Sequence, residues 1–459
     1  MIARTVMLEA GPPPPDGGWG WMVVLAGFIC HLVMDGFVYS SGIFFDEFLE
    51  YFHEGHGATS LISSITFGCY LMSSPIASGL TIRYGCRPIA ITGSLMSALG
   101  LFISIYATGI KFLYFSLGFV SGTGFGLTLL PAIVCVTSYF DRRRSLATGI
   151  TVCGSGVGTF VMAPLMQALI RYYGWKGALI ICSGLSLQGR IRVRPDLFYE
   201  RTLSEEDRQS SMAFSSGADH QSQLVTLVDN RNIVVRTLFS YKMAAVLGEM
   251  LNVRLLAEPA FQAFALSRAL CGMGYSVPYL FLPSRAVADL GVSETDASFL
   301  MSVIGFSNVV GRIAIGEAAD LVGRRRIWIY IGCVMICGLS TVLSVLARTY
   351  FVLQLYAAAY GAAGGGFITL SSVVVVDLVG LDRLTNAFGL SLLFLGIAAL
   401  VGPPLSGWVL DATHSFSPGF VLAGVCQYAA GVVLIAVPYL QLKKARRRSV
   451  ATTRDSADA

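Results

Sequence analysis

The chain has 459 residues, of which 54% are hydrophobic and 13% are charged, and its formal net charge is +5 at pH 7. Soluble domains carry about 25% charged residues, so this composition excludes most classes of water-soluble protein. In a membrane protein the excess of positive charge concerns orientation, and no nucleic-acid partner is expected.

The first apolar span opens with a short string rich in Gly and Trp. An Asp at a helix start can accept hydrogen bonds from the free N–H groups of the first turn. Trp rings suit the boundary between lipid and water, and Gly allows a second helix to approach closely. These properties predict the start of a transmembrane helix at Asp16, Gly17, Gly18, Trp19, Gly20 and Trp21.

Two ionisable residues, His31 and Asp35, lie in this first span. They are four positions apart and therefore share one helix face. An imidazole beside a carboxylate suits a proton carrier, or a ligand for a cationic or zwitterionic group. The alternative is that the two groups only neutralise each other where two helices meet.

Twelve apolar segments follow one another along the chain, and most reach the ~20 residues that a hydrocarbon layer of ~30 Å requires. A polar stretch at 189–257 separates the sixth segment from the seventh. We therefore predict an all-α integral membrane protein with six-span halves at 20–188 and 258–440, an N-terminal segment at 1–19 and a basic tail at 441–459. The predicted spans are 20–45, 60–82, 88–107, 112–137, 146–170, 175–188, 259–282, 297–319, 327–346, 351–376, 385–410 and 418–440.

The distribution of basic residues predicts the orientation of these spans. Arg clusters follow spans two, four and eight, and Lys and Arg follow span twelve, whereas 46–60 contains four acidic residues and no Lys or Arg. By the positive-inside bias, both termini and the central loop are predicted to be cytoplasmic.

Span six is shorter than the others. The segment 175–188 has 14 residues, which as a helix is about 21 Å long against a layer of about 30 Å. The shortfall indicates a truncated span, from a splice difference, a deletion or a gene-model fault, with folding or activity impaired.

Two cations within the spans of the second half invite a functional explanation, because an ionisable residue at this depth costs about 2.5–3.5 kcal/mol. Arg312, in span eight, can hold a carboxylate through two parallel hydrogen bonds, with Asn308 one turn earlier as its orienting partner. The alternative is a structural Arg paired with helix carbonyls. Arg268, in span seven, is either a second anion contact or a partner of Asp35.

Aromatic and polar residues of several spans suit the wall of a central cavity, although aromatics within spans also serve simple packing. Tyr70, Tyr275, Phe367 and Ser371 are the candidates. Metal-ligand spacings and CxxC pairs do not occur, and no nucleophile–base set stands out. We therefore expect no metal, no cofactor and no enzymatic activity.

The two halves repeat each other at a nearly constant offset. Gly85 and Gly323 are 238 positions apart, while Gly149 with Pro164 recurs 240 positions later as Gly389 with Pro404. A parallel repeat of six spans is typical of the major facilitator architecture. Basic turns at the predicted cytoplasmic ends then either gate the halves or only anchor the topology; Asp320 and Arg324 belong to one of them.

Three further stretches have recognisable motifs. Residues 278–283 and 377–411 contain Pro-Tyr, Leu-Pro and Gly-Pro-Pro strings. The start of span five contains Tyr139, Phe140, Arg143, Arg144 and Gly149. Together with the string at 16–21, these stretches resemble the monocarboxylate transporter family (solute carrier family 16), over both halves and nearly all spans.

The resemblance implies a secondary carrier of the plasma membrane that moves a small organic anion or zwitterion by alternating access, in some branches as a symport with one proton. Arg312 falls where the family keeps its substrate-binding Arg. The family usually has an Asp at position 308 and a Lys at position 39, and this chain has Asn308 and Tyr39. Proton coupling is therefore in question.

Two further expectations follow. Members of the family often need a single-span immunoglobulin-like glycoprotein as a partner to reach the surface. If the short sixth span disables the chain, the alternative function is that of a non-transporting regulatory paralogue or an inactive splice product.

Overall fold

A computed structural model of the chain describes residues 17–140, 143–187, 253–322, 325–380 and 384–455. Every element within these ranges is helical, which confirms the all-α prediction for them. The helices of the first half are α1 (Trp19–Tyr39), α2 (Phe45–Phe52), α3 (His56–Met72), α4 (Ser74–Tyr84), α5 (Cys86–Ser104), α6 (Ile110–Leu113), α7 (Gly122–Tyr139) and α8 (Arg144–Ser186). Those of the second half are α9 (Pro259–Tyr275), α10 (Val277–Leu290), α11 (Glu294–Val322), α12 (Arg326–Leu343), α13 (Tyr350–Val379), α14 (Leu384–Thr413) and α15 (Ser417–Asp455).

Shorter turns of other helical types join some of these elements. A π-helical stretch precedes α7, and 3₁₀ turns precede α2 and α9 and follow α12. Their bounds are Tyr114–Ser121, Ser41–Phe44, Val253–Ala257 and Ser344–Leu346.

Within the described ranges, ten helical stretches are long and apolar enough to cross a membrane, judged by length and composition. The longest, 146–186, covers predicted spans five and six. It contains a break at Gly174, whose φ of 67° and ψ of 171° are conformations that glycine adopts without strain. Predicted span seven corresponds to α9 and α10, which are too short to be among the ten. The count of twelve spans stays a prediction.

Three predicted bounds differ from the structure for local reasons. Helix α1 ends at Tyr39 rather than at residue 45, because the backbone of Gly42 turns against α10, where a side chain would collide with the carbonyl of Leu280. Predicted span two divides into α3 and α4, with Pro75 in the first turn of the second helix. Helix α15 continues to Asp455, through most of the predicted tail.

Small residues let helices of the two halves approach backbone to backbone. A Cβ on Gly156 of α8 would lie 2.9 Å from the carbonyl oxygen of Gly305 on α11. A Cβ on Gly396 of α14 would lie 3.0 Å from the carbonyl oxygen of Gly68 on α3. Such contacts are typical of close helix packing in membranes. The seam at Gly156 and Gly305 places α8 of the first half directly against α11 of the second.

Candidate functional site

Arg312 lies on α11, and its hydrogen bonds join both halves of the chain. The side chain is 6% exposed. Its Nε donates to Oδ1 of Asn308 at 2.8 Å, and its Nη2 donates to Oγ of Ser155, on α8, at 2.7 Å. The guanidinium is therefore held by two neutral groups, one from each half, and it forms no salt bridge within the described residues.

Asn308 holds the guanidinium from one side and the neighbouring helix from the other. Its Nδ2 donates to the carbonyl oxygen of Gly361, on α13, at 3.3 Å. The missing side chains of Gly361 and Gly365 allow this approach, because a Cβ on either would collide with the backbone of α11. The contact between residues 308 and 312 follows the predicted spacing, and its role in binding stays a prediction.

Asp35 is the acidic group of this site. It is 4% exposed and accepts a hydrogen bond from the hydroxyl of Tyr70, on α3. Asp35, Tyr39 and Tyr70 all lie within electrostatic range of the Arg312 guanidinium. The site therefore contains one cation and one carboxylate, on helices of different halves, that are not in direct contact.

His31 does not form a hydrogen bond with Asp35, although both lie on α1. Its Nδ1 lies 2.8 Å from the carbonyl oxygen of Gly27, which accepts the ring proton. The other ring nitrogen, Nε2, is buried and has no hydrogen-bond partner within the described residues. Because a carbonyl oxygen only accepts, Nδ1 is the donor in the bond to Gly27.

Tyrosine rings form one wall beside the charged groups. Tyr39 lies 4.9 Å from Tyr279 and 6.5 Å from Tyr275, measured between ring centroids. Tyr39 and Tyr279, with Phe67 of α3 and Pro403 of α14, line a small cavity between the halves. Tyr279 was not among the predicted cavity residues. Its spacing of four from Tyr275 is the signal in the sequence that places both rings on one face.

The other two predicted cavity residues lie on α13. Phe367 is 3% exposed, and its ring centroid lies 5.6 Å from that of Tyr275. Ser371 donates to the carbonyl oxygen of Ile368 in its own helix at 2.9 Å, so its hydroxyl is already engaged.

Of the two alternatives for Arg268, the pairing with Asp35 is wrong, whereas a second anion contact stays a prediction. The side chain contacts neither Asp35 nor any other acidic group within the described residues. Its Nη1 lies 3.4 Å from the hydroxyl of Tyr330, and its guanidinium carbon lies 4.9 Å from the ring centroid of Phe367 and 5.7 Å from that of Phe264. Arg268 lies among aromatic rings of the second half because its helix packs inside that half, so it does not reach α1.

Several polar contacts join the halves at one end of the helices, which we call the predicted outer end because the acidic segment 46–60 lies there. Asp411 of α14 accepts from the backbone N–H groups of His56 and Gly57 at 2.8 and 3.0 Å, at the start of α3. Nδ1 of His56 lies 2.7 Å from the same carboxylate. The carboxylate of one half thus caps a helix of the other.

Two more pairs join the halves at the predicted outer end. Ser284 donates to Asp46 at 2.8 Å, and Gln167 donates to Glu294 at 2.9 Å. Burial raises the pKa of the Asp46 carboxyl above its ordinary value, and the hydrogen bond from Ser284 opposes this rise. The predicted outer end is therefore closed in this structure.

Two of the sequence motifs contact each other at the opposite end. The ring of Trp21 packs edge-on against Phe140 with centroids 5.1 Å apart, and a Cβ on Gly20 would lie 2.9 Å from the same ring. Tyr139, like Phe140, is buried. Trp19 is half exposed.

The structure describes only part of the predicted helix start. Gly18 occupies the N-cap position of α1 with a φ of 53°, and the predicted cap by Asp16 stays a prediction. Gly17 precedes it as a bend, and Asp16 lies outside the described residues.

The remaining motif residues give no test of gating. Arg143 is the exposed N-cap residue of α8, and Gly149 is exposed on the same helix. Arg144 and Asp320 lie in α8 and α11, while Arg324, like almost all of the predicted central loop, lies outside the described residues.

The chain is similar to known proteins over most of its length. The family model described as Major Facilitator Superfamily matches residues 27–246 and 264–456. Monocarboxylate transporter 13 of Rattus norvegicus is 34% identical over 93% of this chain and 90% of its own. Monocarboxylate transporter 12-B of Danio rerio is 32% identical over 94% of this chain and 90% of its own. Monocarboxylate transporter 2 of Mus musculus is 30% identical over 97% of this chain and 90% of its own.

A solved structure has the same fold. The crystal structure of a POT family transporter in complex with 5-aminolevulinic acid superimposes with a TM-score of 0.68, covering 93% of this chain and 98% of the other. The two sequences are 14% identical, so the likeness concerns the fold alone.

Proposed function

The chain belongs to the major facilitator superfamily and, within it, to the monocarboxylate transporter family, and from this premise we propose that it carries small carboxylate-bearing metabolites by alternating access. Membership confirms the resemblance predicted from the motifs. It makes the chain a multi-pass membrane transport protein and not an enzyme. In this proposal the chain crosses the plasma membrane twelve times, and both of its termini lie in the cytoplasm.

The observation that carries the proposal is the position of Arg312 between the halves with neutral partners only. A buried guanidinium gains most from an ionised partner, because a carboxylate compensates the charge and accepts two parallel hydrogen bonds. The hydroxyl of Ser155 occupies Nη2, and Nη1 forms no hydrogen bond within the described residues. A carboxylate that displaces Ser155 would meet both nitrogens in a parallel pair.

Asp35 supports a second feature of the proposal, which is that the cargo arrives with a compensating positive charge. Asn308 cannot titrate, so the place where the family usually has an Asp is unable to take a proton. A carboxylate bound at Arg312 faces the Asp35 carboxylate inside a low-dielectric site, where two unmatched anions are costly. The positive charge for Asp35 comes either from a proton or from a cationic group on a zwitterionic cargo.

The test is uptake by cells that express the chain at the surface. A radiolabelled panel of small carboxylates and amino-substituted carboxylates is supplied with and without an imposed pH gradient. Each charged hydrogen bond contributes about 1.5–3 kcal/mol, so we expect Arg312→Ala to lower uptake at least about tenfold. Arg312→Lys, which keeps the charge without the planar fork, should recover part of it.

The two arms of the panel separate the sources of positive charge. Uptake of simple carboxylates that rises with an inward proton gradient indicates a proton on Asp35. If amino-substituted acids are taken up equally with and without the pH gradient, the positive charge comes from the cationic group of a zwitterionic cargo. If the wild-type chain takes up an acid and the Arg312→Ala variant takes up the same acid at the full rate, the proposed role of Arg312 in binding is contradicted.

A control addresses the partner and the alternative function. The chain is expressed alone and together with a single-span immunoglobulin-like glycoprotein, and surface protein is quantified by biotinylation. Surface protein that carries no member of the panel in either case supports a non-transporting paralogue instead.

A further inference from the structure

Arg268 is a buried cation that the proposed binding scheme does not use. It lies in the middle of α9 and is 2% exposed. Its Nη1 has one long hydrogen bond, to the hydroxyl of Tyr330, and its Nε has no hydrogen-bond partner within the described residues. An unpaired cation at this depth is costly, so some other interaction must stabilise it.

Aromatic rings supply that interaction. The guanidinium carbon lies 4.9 Å from the ring centroid of Phe367 and 5.7 Å from that of Phe264. Tyr330 stacks on both rings, at interplanar angles of 21° and 30°. A cation near ring faces is attracted by their quadrupoles, and the attraction is strongest where water is excluded. Arg268 is thus held by rings instead of by a carboxylate.

Phe367 also faces the central site. Its ring packs against Tyr275 at 5.6 Å, and Tyr275 in turn contacts Tyr279 at 5.4 Å. One turn earlier on the same helix, a Cβ on Gly364 would lie 3.7 Å from Nδ2 of Asn308. The ring of Phe367 therefore stands between the Arg268 guanidinium and the wall of the site that contains Arg312.

We propose that Arg268 is a positioning residue, which fixes the ring of Phe367 behind the tyrosine wall of the binding site and thereby sets the size of the cargo's carbon chain. This inference rests on the proposed function. With the guanidinium in place, the Phe367 ring is held between Arg268 and Tyr275, and the wall keeps one shape. Without it, the ring gains freedom to rotate, and the site accepts bulkier acids while holding short ones less well.

The experiment compares the KM for uptake of a short and a bulky acid in the surface-expressed full chain. Arg268→Met keeps an apolar side chain of similar length and removes the charge. We expect the ratio of the short-acid KM to the bulky-acid KM to rise by about three- to thirtyfold, the range that a cation–π contact of this kind spans. Arg268→Lys should shift the ratio less.

A double variant shows whether the effect passes through the ring. In a Phe367→Leu background, Arg268→Met should leave the KM ratio unchanged, since the ring it positions is gone. Tyr330→Phe, which removes the hydrogen bond and keeps the stack, serves as the matched control and should also leave the ratio unchanged.

Three results would overturn the inference. The first is an Arg268→Met variant whose KM ratio equals that of the wild type, while its surface expression or its maximal rate falls for every acid. That result would indicate a structural role only. The second is a shift of the KM ratio on Arg268→Met that is equally large with Phe367 and in the Phe367→Leu background. If Arg268→Met does not reach the surface, Phe264→Leu is measured instead, because it removes one of the rings that hold Arg268 and leaves Arg268 itself unchanged. An unchanged KM ratio in the Phe264→Leu variant is the third result. A wild-type chain without uptake of any acid would instead contradict the proposed function.

Discussion

Ser155 is the residue that a carboxylate must replace at Arg312. Its Oγ accepts from Nη2 of Arg312 at 2.7 Å and itself donates to the carbonyl oxygen of Val152 at 3.1 Å. The hydroxyl therefore competes with the cargo for one guanidinium nitrogen. A hydrogen bond from a charged donor contributes about 1.5–3 kcal/mol net. A carboxylate that meets both Nη1 and Nη2 forms two such bonds and can therefore replace the single hydroxyl.

We predict that Ser155→Ala lowers the KM for the transported acid, by about tenfold or more, because a competitor that forms a charge-assisted hydrogen bond is removed. The measurement is concentration-dependent uptake normalised to surface protein. Ser183→Ala is the matched control: Ser183 is a buried hydroxyl of the same helix that donates to the carbonyl oxygen of Ile180 and does not touch Arg312. A KM that rises in the Ser155 variant alone would show that the hydroxyl positions the guanidinium instead.

The sequence was sufficient to place Arg312 and Asn308 together, because four positions make one helical turn. It could not supply their partners across helices. Ser155 is 157 positions from Arg312, and Tyr70 is 35 positions from Asp35, so both contacts depend on how helices pack. Arg268 was misplaced for the same reason, since spacing alone does not show that aromatic rings surround it.

At the scale of elements, the start of α3 depends on a carboxylate from α14. Asp411 accepts from two backbone N–H groups at that helix terminus, where unpaired donors and the helix dipole favour negative charge. The cap exists only while the halves are together at the predicted outer end. Opening that end therefore leaves the first turn of α3 without its partner.

We predict that Asp411→Asn opens the predicted outer end more readily, because the amide has one acceptor oxygen and no charge. Loss of a cap costs about 0.5–2 kcal/mol, which corresponds to an open population about two- to thirtyfold larger. The reporter is Ser63→Cys, in the small cavity, labelled by a thiol reagent that does not cross membranes. Faster labelling is expected.

Asp289→Asn is the control for this prediction. Asp289 pairs with Arg285 at 3.2 Å within one half, so its loss should leave the labelling rate at the reference value. Equal labelling in the Asp411 variant and in this control would show that the cap does not hold the two halves together.

The helical elements themselves were largely predictable, because each apolar run of sufficient length became a helix. The interruption at Gly174 falls between predicted spans five and six. The one at Ser276 was not predictable, because apolar composition continues through it and one run contains two helices. At Gly174 the chain uses a positive φ, and hydropathy carries no information about backbone angles.

At the scale of the whole molecule, the two halves meet along glycine seams and through polar pairs at the predicted outer end. Alternating access requires those pairs to separate once in every cycle. Gln167 and Glu294, from different halves, are joined by one hydrogen bond of 2.9 Å. Both lie near the surface, so reagents can reach them.

We predict that a covalent link between these positions stops transport. In the double variant Gln167→Cys with Glu294→Cys, a short bifunctional thiol reagent should abolish uptake in the linked fraction, because the halves are unable to separate. The ten native cysteines are buried or partly buried within their helices, and each single variant treated in the same way is the control. Continued uptake by fully linked protein would rule out a rocking motion of the halves.

The glycine seams also bear on whether inorganic ions leak between the two halves. Where Gly156 meets Gly305 and Gly68 meets Gly396, main chain approaches main chain, and the apolar side chains of Val309, Met72 and Leu400 fill the space beside these contacts. A pivot of this kind can turn while staying dry. The vestibules on its two sides would then never merge, and inorganic ions would gain no continuous path when the cargo crosses.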